Sequence, residues 1–130
     1  MKEIVHVPGI SDALVKYNVP ISAAVKANGF VFISGAPPID PDTGKLVTGN
    51  IEEQTEAVMR YLGKVLTASG SSFDKVVKVT VFAANSAYFA RINEIYRRYF
   101  PHQPPARTFV TVGSWPMEFD IEIECVALAD

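Results

Sequence analysis

A single cysteine, Cys125, stands in the 130 residues, so no disulfide can close within the chain. That excludes a disulfide-stapled scaffold and fits a reducing compartment, here expected to be the cytoplasm. Histidine is scarce too. His6 and His102 lie far apart, with no cysteine or acid at ligand spacing, so no metal motif is present in the pattern. No apolar run approaches the roughly 18 residues a spanning helix needs, so no membrane segment is expected. The opening "MKEIVHVPGI" carries Glu3 and His6 where a secretory signal would be apolar. Charge of one sign is lacking as well. The net charge is −2, which argues against RNA or another polyanion as partner, although Arg91, Arg97 and Arg98 could form a local patch. Ser–His–Asp order, a phosphate-binding P-loop and G-x-G-x-x-G are all missing. So are internal repeats, low-complexity tracts and linkers, and one domain over residues 1–130 is expected.

What is present is patterning. Hydrophobic residues make up 48% and charged residues 20%, a globular balance. "IVHV" (Ile4–Val7) reads as a short strand stopped by Pro8–Gly9. Ser11–Asn18 has no clear period and reads as loop. "ISAAVKA" and "FVFISG" flank Asn28–Gly29, a pair suited to a two-residue hairpin turn in which both residues need positive φ. "APPIDPDTGKLVTG" is turn chemistry without a core pattern. Asn50 and Glu53 then have the spacing of a capping box, and Ile51, Val58, Leu62, Val65 and Leu66 share one face of the helix that follows. Gly70 suits its C-terminal stop. "KVVKVTVFAA" (Lys75–Ala84) reads as a central strand. A second helix is expected over about residues 86–100, with Phe89, Ile92, Tyr96 and Phe100 as its apolar stripe. Strands are expected over about 107–112 and 119–128.

The order β-β-β-α-β-α-β-β implies an α+β fold, a mixed sheet with two helices packed on one face. Its two strand–helix–strand connections should be right-handed crossovers. Such a fold leaves the second face of the sheet uncovered. Because "VFIS", "VTVF" and "CVAL" are apolar on both sides, association through that face is expected.

Two charges interrupt the C-terminal strands. Arg107 reads either as an edge-strand arginine with its head in water or as a carboxylate clamp, since a guanidinium fork matches a carboxylate. Glu122 reads either as part of a solvated or interfacial strand face or as a carboxylate that orients a water. Ser34–Gly35 at a strand end reads as turn chemistry. Asn93 lies beside the apolar stripe of the second helix and is expected to bond backbone across a contact. Cys125 alternates with isoleucines and reads as a small core residue.

Taken together, "FVFISGAPPIDPDTGKLV", "VVKVTVFAANSAYFARINEIYRRYF" and "PPARTFVTV…DIEIECVA" resemble the RidA/YjgF family, the enamine/imine deaminases. The resemblance runs from about Pro20 to Leu128. It implies a chorismate-mutase-like fold and a homotrimer with sites between subunits, with no metal or organic cofactor. The implied reaction is hydrolysis of 2-aminoacrylate-like enamine acids to 2-keto acids and ammonia. By position, Arg107 would hold the substrate carboxylate and Glu122 the attacking water. The main chain at Phe109 would contact substrate, Ser34 would line the pocket with Ile21, and Asn93 and Gly35 would be structural residues at the interface. The chain departs from the family pattern at Ile21 (commonly Tyr), Phe109 (commonly Cys), Ala36 (often Gln) and Trp115 (commonly a smaller aliphatic residue). These departures bear on pocket size and polarity. A binding module for small carboxylates, a deaminase for a larger acid such as 2-aminomuconate, and an RNA-cleaving protein are the rival readings.

Overall fold

In chain order the elements are β1 (Glu3–Val5), α1 (Ile10–Lys16), β2 (Ala24–Ala27), β3 (Phe30–Ala36), α2 (Ile51–Ala68), β4 (Val76–Ala83), α3 (Phe89–Tyr99), β5 (Ala106–Thr111) and β6 (Ile121–Leu128). Short 3-10 turns precede β4 and α3. The computed structural model describes residues 1–129, and Asp130, the last residue of the expected domain, lies outside them. All six strands join one sheet in the order β1-β2-β3-β6-β4-β5. Strand β6 is antiparallel to both neighbours, β3 and β4, whereas β4 and β5 are parallel. The α3 connection therefore joins adjacent strands, and the α2 connection passes over β6.

Local chemistry accounts for the element ends. Asn28 and Gly29 take φ values of 52° and 81°, as the two-residue turn between β2 and β3 requires. The Asn50 side chain accepts from the Glu53 N–H at 2.8 Å, and Glu53 accepts from the Asn50 N–H at 3.2 Å, closing the capping box at the start of α2. Gly70, at φ 73°, follows the last residues of α2 in the left-handed conformation that stops a helix.

The core lies between the sheet and the helices. Ile121, Ile123, Cys125 and Ala127 alternate inward along β6, and Val79, Val81 and Ala83 do so along β4. They meet Val58, Met59, Leu62, Val65 and Leu66 of α2, with Ile92, Tyr96 and Phe100 from the α3 region. Truncating a residue such as Leu62 to alanine would cost about 2–5 kcal/mol.

Three differences from the sequence expectations stand out. Residues 11–18, expected as loop, are mostly helix, so the sheet carries three helices rather than two. The Gly9 N–H donates to the Asp12 carboxylate at 2.9 Å, while Ile10 is buried and Leu14 packs on the core. Two inward residues four apart are too few to set a visible period. Strand β2 starts only at Ala24, because Ile21 and Ser22 are held in the preceding loop. Ser34–Gly35 is not a strand-end turn but a bulge within β3: Ile33 pairs with Cys125 and Ala36 with Ile123, leaving two residues opposite Glu124.

The face away from the helices has no cover in the single chain. Ile4, Phe30, Phe32, Val110 and Leu128 are all exposed there, Phe32 at 47%. A depression of about 170 Å³ on this face is lined by Phe32, Lys78, Thr80, Glu124 and Val126.

Candidate active site

Strand β5 is the sheet edge, and parallel pairing sets Arg107 beside Val79 and Phe109 beside Val81. Both side chains therefore lie on the helix side of the sheet. There, Arg107 Nη1 donates to Asn93 Oδ1 at 2.7 Å. The guanidinium carbon stands 4.8 Å from the Tyr96 ring centre and 5.5 Å from that of Phe89. Phe109 meets Phe89 edge-on at 5.0 Å. Asn93 thus bonds a side chain, not the backbone expected for it. Phe89, Asn93 and Tyr96 can act together because positions i, i+4 and i+7 share one helix face.

The electrostatics of this group are one-sided. Among the described residues no carboxylate pairs with Arg107. A neutral amide oxygen and ring faces stabilise the cation without neutralising it. One N–H is used by Asn93, and the remaining fork is chemically suited to a carboxylate. Tyr96 adds polarity with no protein acceptor of its own: its hydroxyl is buried without a hydrogen-bond partner among the described residues. Burial pushes that phenol up to about 12, with the Arg107 charge pulling the other way.

Glu122 lies on the opposite face. It pairs with Phe82 and stands between Ile121 and Ile123, both fully buried on the helix side. Its carboxylate rests on the β3 bulge, where Gly35 leaves room for it; a Cβ on Gly35 would lie 2.1 Å from Glu122 Oε1. Burial pushes the Glu122 carboxyl above its usual range, the polar N–H of nearby Trp115 draws it back, and Glu124 adds to the rise. Beside Gly35, the Ser34 hydroxyl donates to the Ser22 carbonyl at 2.7 Å. Ile21, next to Ser22, is exposed.

The last two strands, β5 and β6, are not neighbours in the sheet. Strand β4 separates β5 from β6, because α3 returns the chain to the outer edge of β4 and the last strand fills the gap beside β3. Arg107 and Glu122 consequently face opposite sides of one sheet, and a single chain does not bring them together. Arg107, Phe109 and Asn93 form one group. Glu122, Gly35 and Ser34 form another, with Ile21 at its rim. Phe89 and Tyr96 belong to the Arg107 group by contact. Sequence reading left Phe89 and Tyr96 in the core stripe, though their spacing with Asn93 was the available signal.

A hollow of about 320 Å³ lies elsewhere, between α2, α3 and the Asp40 loop. Several of its charges are already matched: Glu52 pairs with Arg91 at 2.6 Å, and Arg60 with Asp40 and Asp42. Among the described residues, no three His, Cys, Asp or Glu side chains gather as a metal site would. No helix of the described residues is long and apolar enough to cross a membrane.

Comparison with known proteins agrees with the motifs. A family model described as Endoribonuclease L-PSP matches residues 12–129. Reactive Intermediate Deaminase A of Arabidopsis thaliana, a chloroplastic protein, is 46% identical over 108 residues, 83% of this chain; the match spans only 58% of that relative's length. The 2-iminobutanoate/2-iminopropanoate deaminase of Mus musculus is 38% identical over 109 residues, 84% of this chain and 81% of the mouse protein. The crystal structure of YyfA, a Rid-family protein from Yersinia pestis, superposes with a TM-score of 0.90 at 36% identity, covering 99% of this chain and 100% of that one. The fold, the motifs and these relatives agree, and the chain belongs to the family that the Endoribonuclease L-PSP model describes, the RidA/YjgF proteins.

Proposed function

We propose that this single-domain protein hydrolyses small reactive enamine and imine acids to 2-keto acids and ammonia. The observation that carries the reading is Arg107: a half-buried guanidinium, held by Asn93 and two aromatic rings, with no acid partner among the described residues. Such a group calls for an anion, and a bidentate carboxylate suits it. The names of the Arabidopsis and mouse relatives support the same chemistry.

In the proposed reaction the enamine acid is protonated on carbon and becomes the imine. Water adds across C=N, its proton passing to nitrogen, and the carbinolamine expels ammonia as C=O forms. Arg107 holds the carboxylate. Glu122 accepts a proton from the attacking water and returns it to the departing nitrogen. The Phe109 main chain and Ser34 border the substrate, and positioning supplies most of the gain for so reactive a compound. Since Arg107 and Glu122 face opposite sides of one sheet, the site needs a second copy. The open apolar face supports assembly, and we read it as the contact surface of a homotrimer whose sites lie between subunits. The lone buried thiol of Cys125 fits a cytoplasmic setting.

The aromatic lining made by Phe89 and Phe109 favours a second reading within the same chemistry, a larger unsaturated amino acid as substrate. A module that binds keto acids without turnover would use the same clamp. RNA cleavage is less well supported, because the net charge is −2. The deciding experiment generates 2-aminoacrylate in situ with a serine dehydratase and follows keto-acid release. Acceleration lost in Arg107→Ala supports the reading; an unaccelerated wild-type reaction with tight keto-acid binding supports the module instead.

A further inference from the structure

We propose that Lys78 and Glu124 form an ion pair between copies of this chain, and that the pair sets the register in which one copy's Arg107 meets the next copy's Glu122. The inference rests on the shared site of the proposed function. Both residues point away from the helices: Lys78 precedes buried Val79 on β4, and Glu124 stands between buried Ile123 and Cys125 on β6. They line one depression of about 170 Å³ with Phe32, Thr80 and Val126. Yet the two do not pair within the chain. Thr80 lies between Glu124 on one neighbouring strand and Thr108 on the other. The Lys78 ammonium is turned to the Thr108 side, where it donates to the hydroxyl at 2.6 Å. Among the described residues no cation lies within ion-pair distance of Glu124, and no acid lies within that distance of Lys78.

Covering the face makes two unpaired charges costly. Ile4, Phe30, Phe32, Val110 and Leu128 are exposed on the same face, and a second copy laid on it would take this apolar area out of water. A charge carried into such a contact needs an opposite charge. Each copy brings one cation and one anion, so a cyclic assembly satisfies both: Lys78 reaches the glutamate of one neighbour, and Glu124 receives the lysine of the other. The same contact joins the two halves of the site. Lys78 reaches β5 at Thr108, the residue after Arg107, and Glu124 is one alternation along β6 from Glu122 on the same face. Docking the lysine of one copy on the glutamate of the next therefore brings the edge strand that carries Arg107 against the strand that carries Glu122.

Lys78→Glu leaves two acids on each copy's face, and Glu124→Lys leaves two cations. Both positions lie outside the core cluster, so the far-UV circular dichroism of the chain should be kept. In sedimentation equilibrium each variant should dissociate at concentrations about a hundredfold or more above wild type, the scale of a broken buried pair. Reversing both charges in one chain should restore three times the chain mass and keto-acid release, because the Thr108 hydroxyl can donate to a glutamate as well as accept from a lysine. Mixing the two singly reversed proteins should give species heavier than either forms alone, which a pair within one chain would not produce. Single variants that keep the wild-type mass, or a double reversal that stays dissociated, overturn the inference, as does a wild-type monomer. A wild-type protein that assembles, follows this pattern and lacks deaminase activity overturns the proposed function and leaves the pair standing.

Discussion

The Glu122 carboxylate lies over Gly35 so closely that a Cβ there would come within 2.1 Å of Oε1. The conflict is with the end of a flexible side chain, not with backbone. Gly35→Ala should therefore fold and displace the carboxylate. Calorimetry should show a fall in Tm of only a few degrees, equivalent to about 1 kcal/mol, while keto-acid release drops at least about tenfold, the usual minimum for a misplaced acid–base group.

Arg107 offers a fork, and lysine offers a point. Arg107→Lys loses the paired geometry, the Asn93 bond and the flat stacking on Tyr96 and Phe89. Removing the cation altogether in Arg107→Ala costs about 2–5 kcal/mol, so kcat/KM should fall by about 30-fold or more there, with Arg107→Lys between that variant and wild type. Asn93→Ala leaves the cation in place but unheld, and about tenfold is expected. Steady-state kinetics on all three proteins tests the order.

Burial raises the Glu122 carboxyl above its ordinary 4.5. The native state then holds that proton more tightly than the unfolded chain does. Stability falls as pH rises from 4.5 through the raised native value and is level beyond it. Glu122→Gln removes the charge, so its Tm should exceed wild type near neutral pH and match it below the ordinary carboxyl range. The gain should be small, because a half-exposed carboxylate is screened by water. Thermal melts across pH measure it, and a neutral-pH Tm below wild type would contradict the assignment.

Phe32 stands exposed in the middle of the open face, paired with Val25 and Val126. Phe32→Asp would bury a charge in any contact formed there, at a cost of several kcal/mol. Sedimentation equilibrium should give three times the chain mass for wild type and the chain mass for the variant, with deaminase activity lost in step. A wild-type monomer would remove the shared site as well.

Phe109 stands edge-on to Phe89, two residues from the clamp. Apolar lining at that point should favour substrates with more carbon, each further buried methylene adding ~0.8 kcal/mol. The ranking of enamines derived from serine, threonine, leucine and phenylalanine, in wild type and Phe109→Cys, measures this. A wild type fastest on the serine-derived enamine, with the same ranking in Phe109→Cys, would refute it.

Local chemistry made much of the fold legible. The Asn28–Gly29 turn, the Asn50–Glu53 cap and the Gly70 stop each depend on a few adjacent residues, and each is where its residues put it. Helix α1 escaped notice because two inward residues, Ile10 and Leu14, set no period. The Gly35 bulge escaped because it depends on register with β6, a strand nearly ninety residues away. The same limit applied to the site. Arg107 and Glu122 could be picked out as charges within strand-like runs, yet which side of the sheet each faces is fixed by strand order, and the placement of β6 between β3 and β4 is a global property. Trp115 stood out as a departure from the family pattern, but its stacking on Phe119 depends on the path of a loop.

A site assembled from two copies divides its inheritance between them. Under the proposed shared site, an allele lacking Arg107 and an allele lacking Glu122 are each inactive alone and complement each other when co-expressed. Random mixing in a trimer restores both groups to about a quarter of the sites and puts both lesions into another quarter. One inactive allele beside a normal copy still disables only half of the sites, since each site takes the affected group from a single subunit. The opposed placement of two side chains on one sheet thus sets which pairs of mutations in the gene complement.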